Sequence, residues 1–153
     1  MKKLLLVGIA AFFLTGSTAE DTTPYSEDYL MDFACTVTYT DCSGLQLPHI
    51  GVTQLNWAGS GVAGMYFPGT DIILIDIDFL RGLPELELTS ILVHEMAHYI
   101  YDQTRGAHTA CETEAFAWHV GNSFLVSVGL EDATIYDWYE WYNCAAPGPV
   151  VAE

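Results

Sequence analysis

Residues 91–100 read ILVHEMAHYI. An apolar run of helical character carries three ionisable groups, His94, Glu95 and His98. Residues four apart on an α-helix lie on one face, one turn above the other, so the two imidazoles can converge on a single point. Glu95, one position on, sits beside that point rather than at it. H-E-x-x-H on a helix is the arrangement in which two histidines hold zinc and the glutamate acts as base toward water. Catalytic zinc sites use three protein ligands and leave a position for water, whose pKa falls toward about 7. The bland alternative is a pair of core histidines satisfied by neighbouring polar groups.

A third ligand has to come from elsewhere. A metzincin continues H-x-x-G-x-x-H, but Tyr101 stands at the glycine position and Thr104 at the final histidine position, with His108 four residues later. Asp102 lies about 12 Å along the helix from His94 at 1.5 Å per residue, too far to share its ion. It could still orient His98 from behind. The segment CETEAFAWH (111–119) offers Glu112 and Glu114 on a following helix. The two are roughly 200° apart around the axis, so only one can face the ion.

Here the chain resembles the gluzincins, the thermolysin-like clan of zinc metallopeptidases. Their HExxH is followed, after a modest loop, by a glutamate on a second helix, often just before alanine. Glu114-Ala115 has that form, 16 residues after His98. The resemblance implies Glu114 as third ligand, with Glu112 the alternative, Glu95 as the water-activating residue and one Zn²⁺ per chain. It covers residues 48–125, and YFPGTDIILID (66–76) ahead of the HExxH helix also looks like a small group of exported proteins of this type. Larger gluzincins add a subdomain whose His or Tyr stabilises the oxyanion, whereas only about 30 residues follow the glutamate helix here. Candidates for that role, or for supporting the ligands, are His108, His119, Tyr136, Tyr139 and Tyr142. Plain packing is the alternative for each tyrosine, and a helix-face position for His119. His49 has no evident partner.

Outward from the motif, the periodicity changes twice. SEDYLMDFACTVTYTDC (26–42) begins with a capping residue, Ser26, and repeats Leu30, Phe33, Ala34 and Val37 at helical spacing. PHIGVTQLNW (48–57), GVAGMYFPG (61–69) and DIILIDIDF (71–79) read as strands, with Pro68-Gly69 a turn. Pro84 suits the first turn of a helix that runs to about Asp102. A loop over 103–111 leads to the glutamate helix near Glu112, and 131–144 reads as a short aromatic helical piece. The expected class is α+β: a small zincin-like domain with an N-terminal helix, a three-stranded, mostly antiparallel sheet, the HExxH helix, the glutamate helix and a C-terminal helical segment. A peptide could then pair antiparallel with the strand at 71–78.

The N-terminus has the layout of a secretory signal peptide over 1–19: Lys2 and Lys3, an apolar run at 4–14, and small residues up to a cut after Ala19. An uncleaved anchor is the alternative, but the run is short of the roughly 20 residues a span needs. Residues 20–153 then form one domain, and loss of two lysines takes the net charge from −16 to −18. Such a chain repels nucleic acid and anionic lipid. Cys35, Cys42, Cys111 and Cys144 form an even set, which in an exported chain reads as two disulfides. Three connectivities exist, and Cys35–Cys42 with Cys111–Cys144 is favoured because the first two are close in sequence. Zinc–thiolate ligation lacks the C-x-x-C spacing.

The sequence therefore leads to the expectation of a periplasmic or secreted zinc metallopeptidase, monomeric, acting on a peptide or protein, with no nucleic-acid partner and no membrane association after cleavage. The rivals are a non-catalytic zinc-stabilised binding module, its fourth ligand His108 or His119, and a metallohydrolase of cell-wall amides.

Overall fold

A computed structural model describes residues 25–59, 61–106 and 108–145. The signal segment expected at 1–19, with its cut after Ala19, lies outside them. The elements run α1 (Glu27–Val37), β1 (His49–Thr53), β2 (Gly64–Tyr66), β3 (Ile72–Asp76), α2 (Ile77–Gly82), α3 (Glu85–Arg105), α4 (Ala110–Ser127), a 3₁₀ turn (Glu131–Ala133) and α5 (Trp138–Trp141). The class is α+β, as the sequence implies.

The starts of α1, α3 and α4 follow from local chemistry. Ser26 caps α1 by accepting from the Tyr29 amide. Pro84 precedes α3, whose first turn carries Glu85 and Glu87 where the helix dipole favours negative charge. Thr109 and Glu112 form a reciprocal capping box on α4. Helix α3 outruns the expected end at Asp102 and stops at Gly106, whose φ of 72° suits glycine. The connection to α4 is correspondingly shorter than 103–111.

The sheet corrects one expectation. Its order is β1-β3-β2, with β1 parallel and β2 antiparallel to β3, so it is mixed rather than mostly antiparallel. Periodicity of two reports which face a side chain takes, not which way its neighbour runs. β2 turns back on β3 through the Pro68-Gly69 hairpin, and β1 occupies the opposite edge. β3 is therefore central, flanked on both sides, and cannot receive an added strand. It also ends at Asp76, short of 79. The Asp76 carboxylate accepts from the amides of Asp78 and Phe79 and starts α2, a helix the strand-like pattern concealed.

The core lies between α3, α1, α4 and the sheet. Val93, Met96, Ala97 and Ile100 of α3 are fully buried, as are Leu30, Ile73, Val120 and Phe124. A fully buried aliphatic side chain contributes about 1.5–3 kcal/mol, so α3 is held as the central strut. Helices α3 and α4 touch closely at Gly121, where an added Cβ would meet the Ser90 carbonyl at 3.3 Å and His94 Cβ at 3.4 Å. Both favoured disulfides are present, Cys35–Cys42 at 2.01 Å and Cys111–Cys144 at 2.03 Å. Among the described residues no helix is long and apolar enough to cross a membrane.

Candidate metal centre

The α3–α4 contact brings three ligand-type side chains to one place. His94 and His98 Nε2 lie 3.2 Å apart. Glu114 Oε2 is 3.7 Å from His94 Nε2, and Glu114 Oε1 is 3.6 Å from His98 Nε2. Donor atoms around a tetrahedral ion with bonds of about 2.0–2.1 Å stand roughly 3.3 Å apart, so the set fits such an ion. Among the described residues these three are the group that could hold a metal ion. Glu114 Oε2 is buried without a hydrogen-bond partner, which a cation would supply. The Trp118 indole and Tyr142 phenol are directed toward that carboxylate from longer range and favour its charged form.

Burial sets the charge states. His94 is pushed far below its ordinary pKa by burial, then by the neighbouring His98, so its ring is neutral, the form that ligates. Burial lowers His98 to about 4, helped by His108. Glu114 is raised to about 7 by burial. These are properties of the metal-free cluster, and a cation would reverse the carboxylate shift.

Glu95 is not one of the three ligand-type groups and is held from a different element, the sheet. Its Oε2 accepts the Tyr66 amide of edge strand β2 at 2.8 Å. Gly64, on the same strand, leaves room for it: a Cβ there would stand 2.8 Å from Glu95 Cγ. Burial raises Glu95 to about 8; the Tyr66 amide opposes the shift and Glu114 adds to it. β2 is fixed to α3 by a second carboxylate. Asp102 Oδ2 lies 2.7 Å from the Tyr66 phenol and accepts the Gly69 amide at 2.7 Å.

Asp102 is thus committed to the β2–β3 hairpin rather than to His98, which corrects the expected supporting role. Glu112 is spent on the cap, its Oε2 accepting from the Thr109 amide at 2.8 Å, and it faces away from the imidazoles. His108 packs edge-on against Tyr101 at 5.0 Å, outside the ligand group. His119 is exposed. His49 pairs with Asp71 at 3.6 Å on the surface, a partner that sequence reading missed.

Of the tyrosines, Tyr136 is 74% exposed and Tyr139 packs against Trp138. Tyr142 is the one that lines the cleft with His94, Glu95 and Trp118. Burial raises its pKa, followed by the charges of Glu114 and Glu95, so the phenol stays protonated at neutral pH. Its place is secured two residues on, where Cys144 is bonded to Cys111 at the start of α4. Trp141 meets Trp118 edge-on at 5.9 Å, and Asn122 bridges both backbone groups of Ile135. The sequence did not separate Tyr142 from the other two; the signal that could have done so is Cys144, two positions on, bonded to Cys111. The cleft has a volume of about 530 Å³.

No family model, no curated protein and no solved structure matches this chain.

Proposed function

We propose that the chain is an exported zinc-dependent metallopeptidase of minimal gluzincin type. The observation that carries this reading is the meeting of His94, His98 and Glu114 beside an independently seated Glu95, at the edge of an open cleft. His94, His98 and Glu114 would hold the ion. Zinc, when bound there, supplies Lewis acidity, polarising a carbonyl and acidifying water.

The chain's own groups do the rest. Glu95 takes the proton of the attacking water and returns it to the departing nitrogen. The Tyr66 amide and the space over Gly64 hold Glu95 in place. Tyr142, a protonated phenol, donates to the oxyanion that forms as the carbonyl is attacked. The substrate peptide lies beside β2, the edge strand that lines the cleft at Gly64, since β3 is flanked on both sides. The acidic surface leaves nucleic acid and anionic lipid outside the substrate range. Two disulfides accord with an oxidising location, periplasmic or secreted.

The reading as a closed, non-catalytic zinc module is less supported, because neither His108 nor His119 reaches the ligand group. The cell-wall amide reading differs only in substrate. The test is zinc titration into chelator-treated protein, with hydrolysis of peptides and of cell-wall amides followed in parallel. The expected outcome is one zinc per chain, peptide hydrolysis, and Glu95→Gln retaining zinc while losing turnover. Absence of stoichiometric zinc, or undiminished turnover in Glu95→Gln, would overturn it.

A further inference from the structure

The cleft does not end at the ligands. From His94 it continues along α3 toward the N-terminus of that helix, between apolar walls made by Phe79, Leu83, Ile91, Leu125 and Ile135. One charged residue of α3 lines this arm, Glu87. It precedes His94 by seven residues, about 10 Å along the axis at 1.5 Å per residue. The Glu87 side chain is half-buried and has no ion pair or side-chain hydrogen bond among the described residues.

The chain has little with which to neutralise it. Four Lys and Arg face twenty Asp and Glu. Of the two arginines among the described residues, Arg105 lies over the rings of Tyr101 and Phe116, at 5.3 and 4.8 Å, and neither lines the cleft. A carboxylate on the largely apolar wall of a cleft is met by a side chain with an apolar stem and a cationic tip, because the stem covers the apolar surface while the charge reaches the acid. The field of a chain with formal charge −16 draws such a ligand in as well.

We infer that this arm of the cleft selects a lysine or arginine side chain of the substrate, with Glu87 as the specificity-determining residue. The inference rests on the peptidase reading for its substrate but not for its binding chemistry. A peptide is positioned by its stem on Ile91 and Leu125 and by its charge on Glu87, which sets the scissile bond against Glu95.

The test uses zinc-loaded full chain and internally quenched peptides identical except for one residue: lysine, norleucine, which has the stem without the charge, or glutamate. The lysine peptide is expected to exceed norleucine about tenfold in kcat/KM, and glutamate to be poorest. Glu87→Gln brings the lysine-to-norleucine ratio to about one, and Glu87→Lys inverts it in favour of glutamate. The same peptides are titrated against Glu95→Gln, following the fluorescence of Trp118 and Trp141 at the cleft. Tighter binding of lysine than norleucine there, lost in the double variant with Glu87→Gln, supports the inference even if no peptide is cut, in which case the peptidase reading fails alone. Equal binding of lysine and norleucine, or a ratio unmoved by Glu87→Gln, overturns the inference while hydrolysis, if present, leaves the peptidase reading intact.

Discussion

Gly64 and Glu95 share a volume that a single methyl group would fill. A Cβ on residue 64 would stand 2.8 Å from Glu95 Cγ and 2.9 Å from its Oε1, while the carboxylate is held from the same strand by the Tyr66 amide at 2.8 Å. Gly64→Ala therefore displaces the proposed base without touching a ligand. A shift of about 1 Å at a reacting group can lower turnover about a hundredfold. The expected result is that loss in kcat with zinc affinity within about twofold of the parent. Equal turnover in the two proteins would show that Glu95 tolerates relocation.

Glu112 and Glu114 differ in surroundings although two residues apart: one closes the α4 cap, the other meets the imidazoles. Glu112→Ala removes one half of the α4 capping box and should cost about 1 kcal/mol of stability, read by denaturant unfolding of the metal-free protein. Its zinc affinity should remain that of the parent. Glu114→Ala should weaken zinc by more than the roughly 10–100-fold that loss of a group behind a ligand costs. Isothermal titration with zinc distinguishes them, and a reversed pattern would reassign the third ligand.

Tyr142→Phe should lower kcat about a hundredfold with little change in zinc content, the size of effect typical of removing one oxyanion donor. Tyr136→Phe, on an exposed ring, should leave kcat alone. Comparable losses in the two variants would remove Tyr142 from the chemistry.

The metal-free protein should be sensitive to alkali. Glu95 and Glu114 titrate near 8 and 7 when folded, against an ordinary 4.5, so in that interval the folded state binds more protons and stability falls as pH rises. His98, lowered to about 4, and His94, lowered well below its ordinary value, act in the opposite sense: the unfolded state binds more protons below 6.5, so stability falls as pH falls there. Between 4.5 and 6.5 the two trends oppose each other, and above 6.5 only the glutamate trend remains. Melting temperature should therefore drop between pH 6.5 and 8.5, less so in Glu95→Gln, and zinc should restore it. A metal-free melting temperature that is flat across that range would contradict the burial of these carboxyls.

What the sequence made legible was what repeats or what carries a fixed chemical meaning. The spacing of His94 and His98 put both imidazoles on one face of α3, and the approximately 200° between Glu112 and Glu114 required one of them to turn away. Both disulfides were readable from cysteine parity and proximity. Strand direction was not, because alternation fixes faces and not neighbours. Helix α2 was hidden because Ile77, Phe79 and Leu80 continue the apolar run of β3, while the signal that ends the strand is one side chain, Asp76, turning to cap Asp78 and Phe79. Asp102 misled for a related reason. Its distance along α3 was computable, but its partners Tyr66 and Gly69 come from more than 30 residues away, where no local pattern reaches.

The Cys111–Cys144 bond ties the wall that bears Tyr142 to the first turn of the helix that bears Glu114. A chain whose thiols are still reduced keeps its ion-binding trio, since that depends only on how α3 meets α4, but has no covalent hold on the phenol opposite. On the metallopeptidase reading, assembly would fall into two stages, metal capture by packing and then completion of the cleft wall by oxidation.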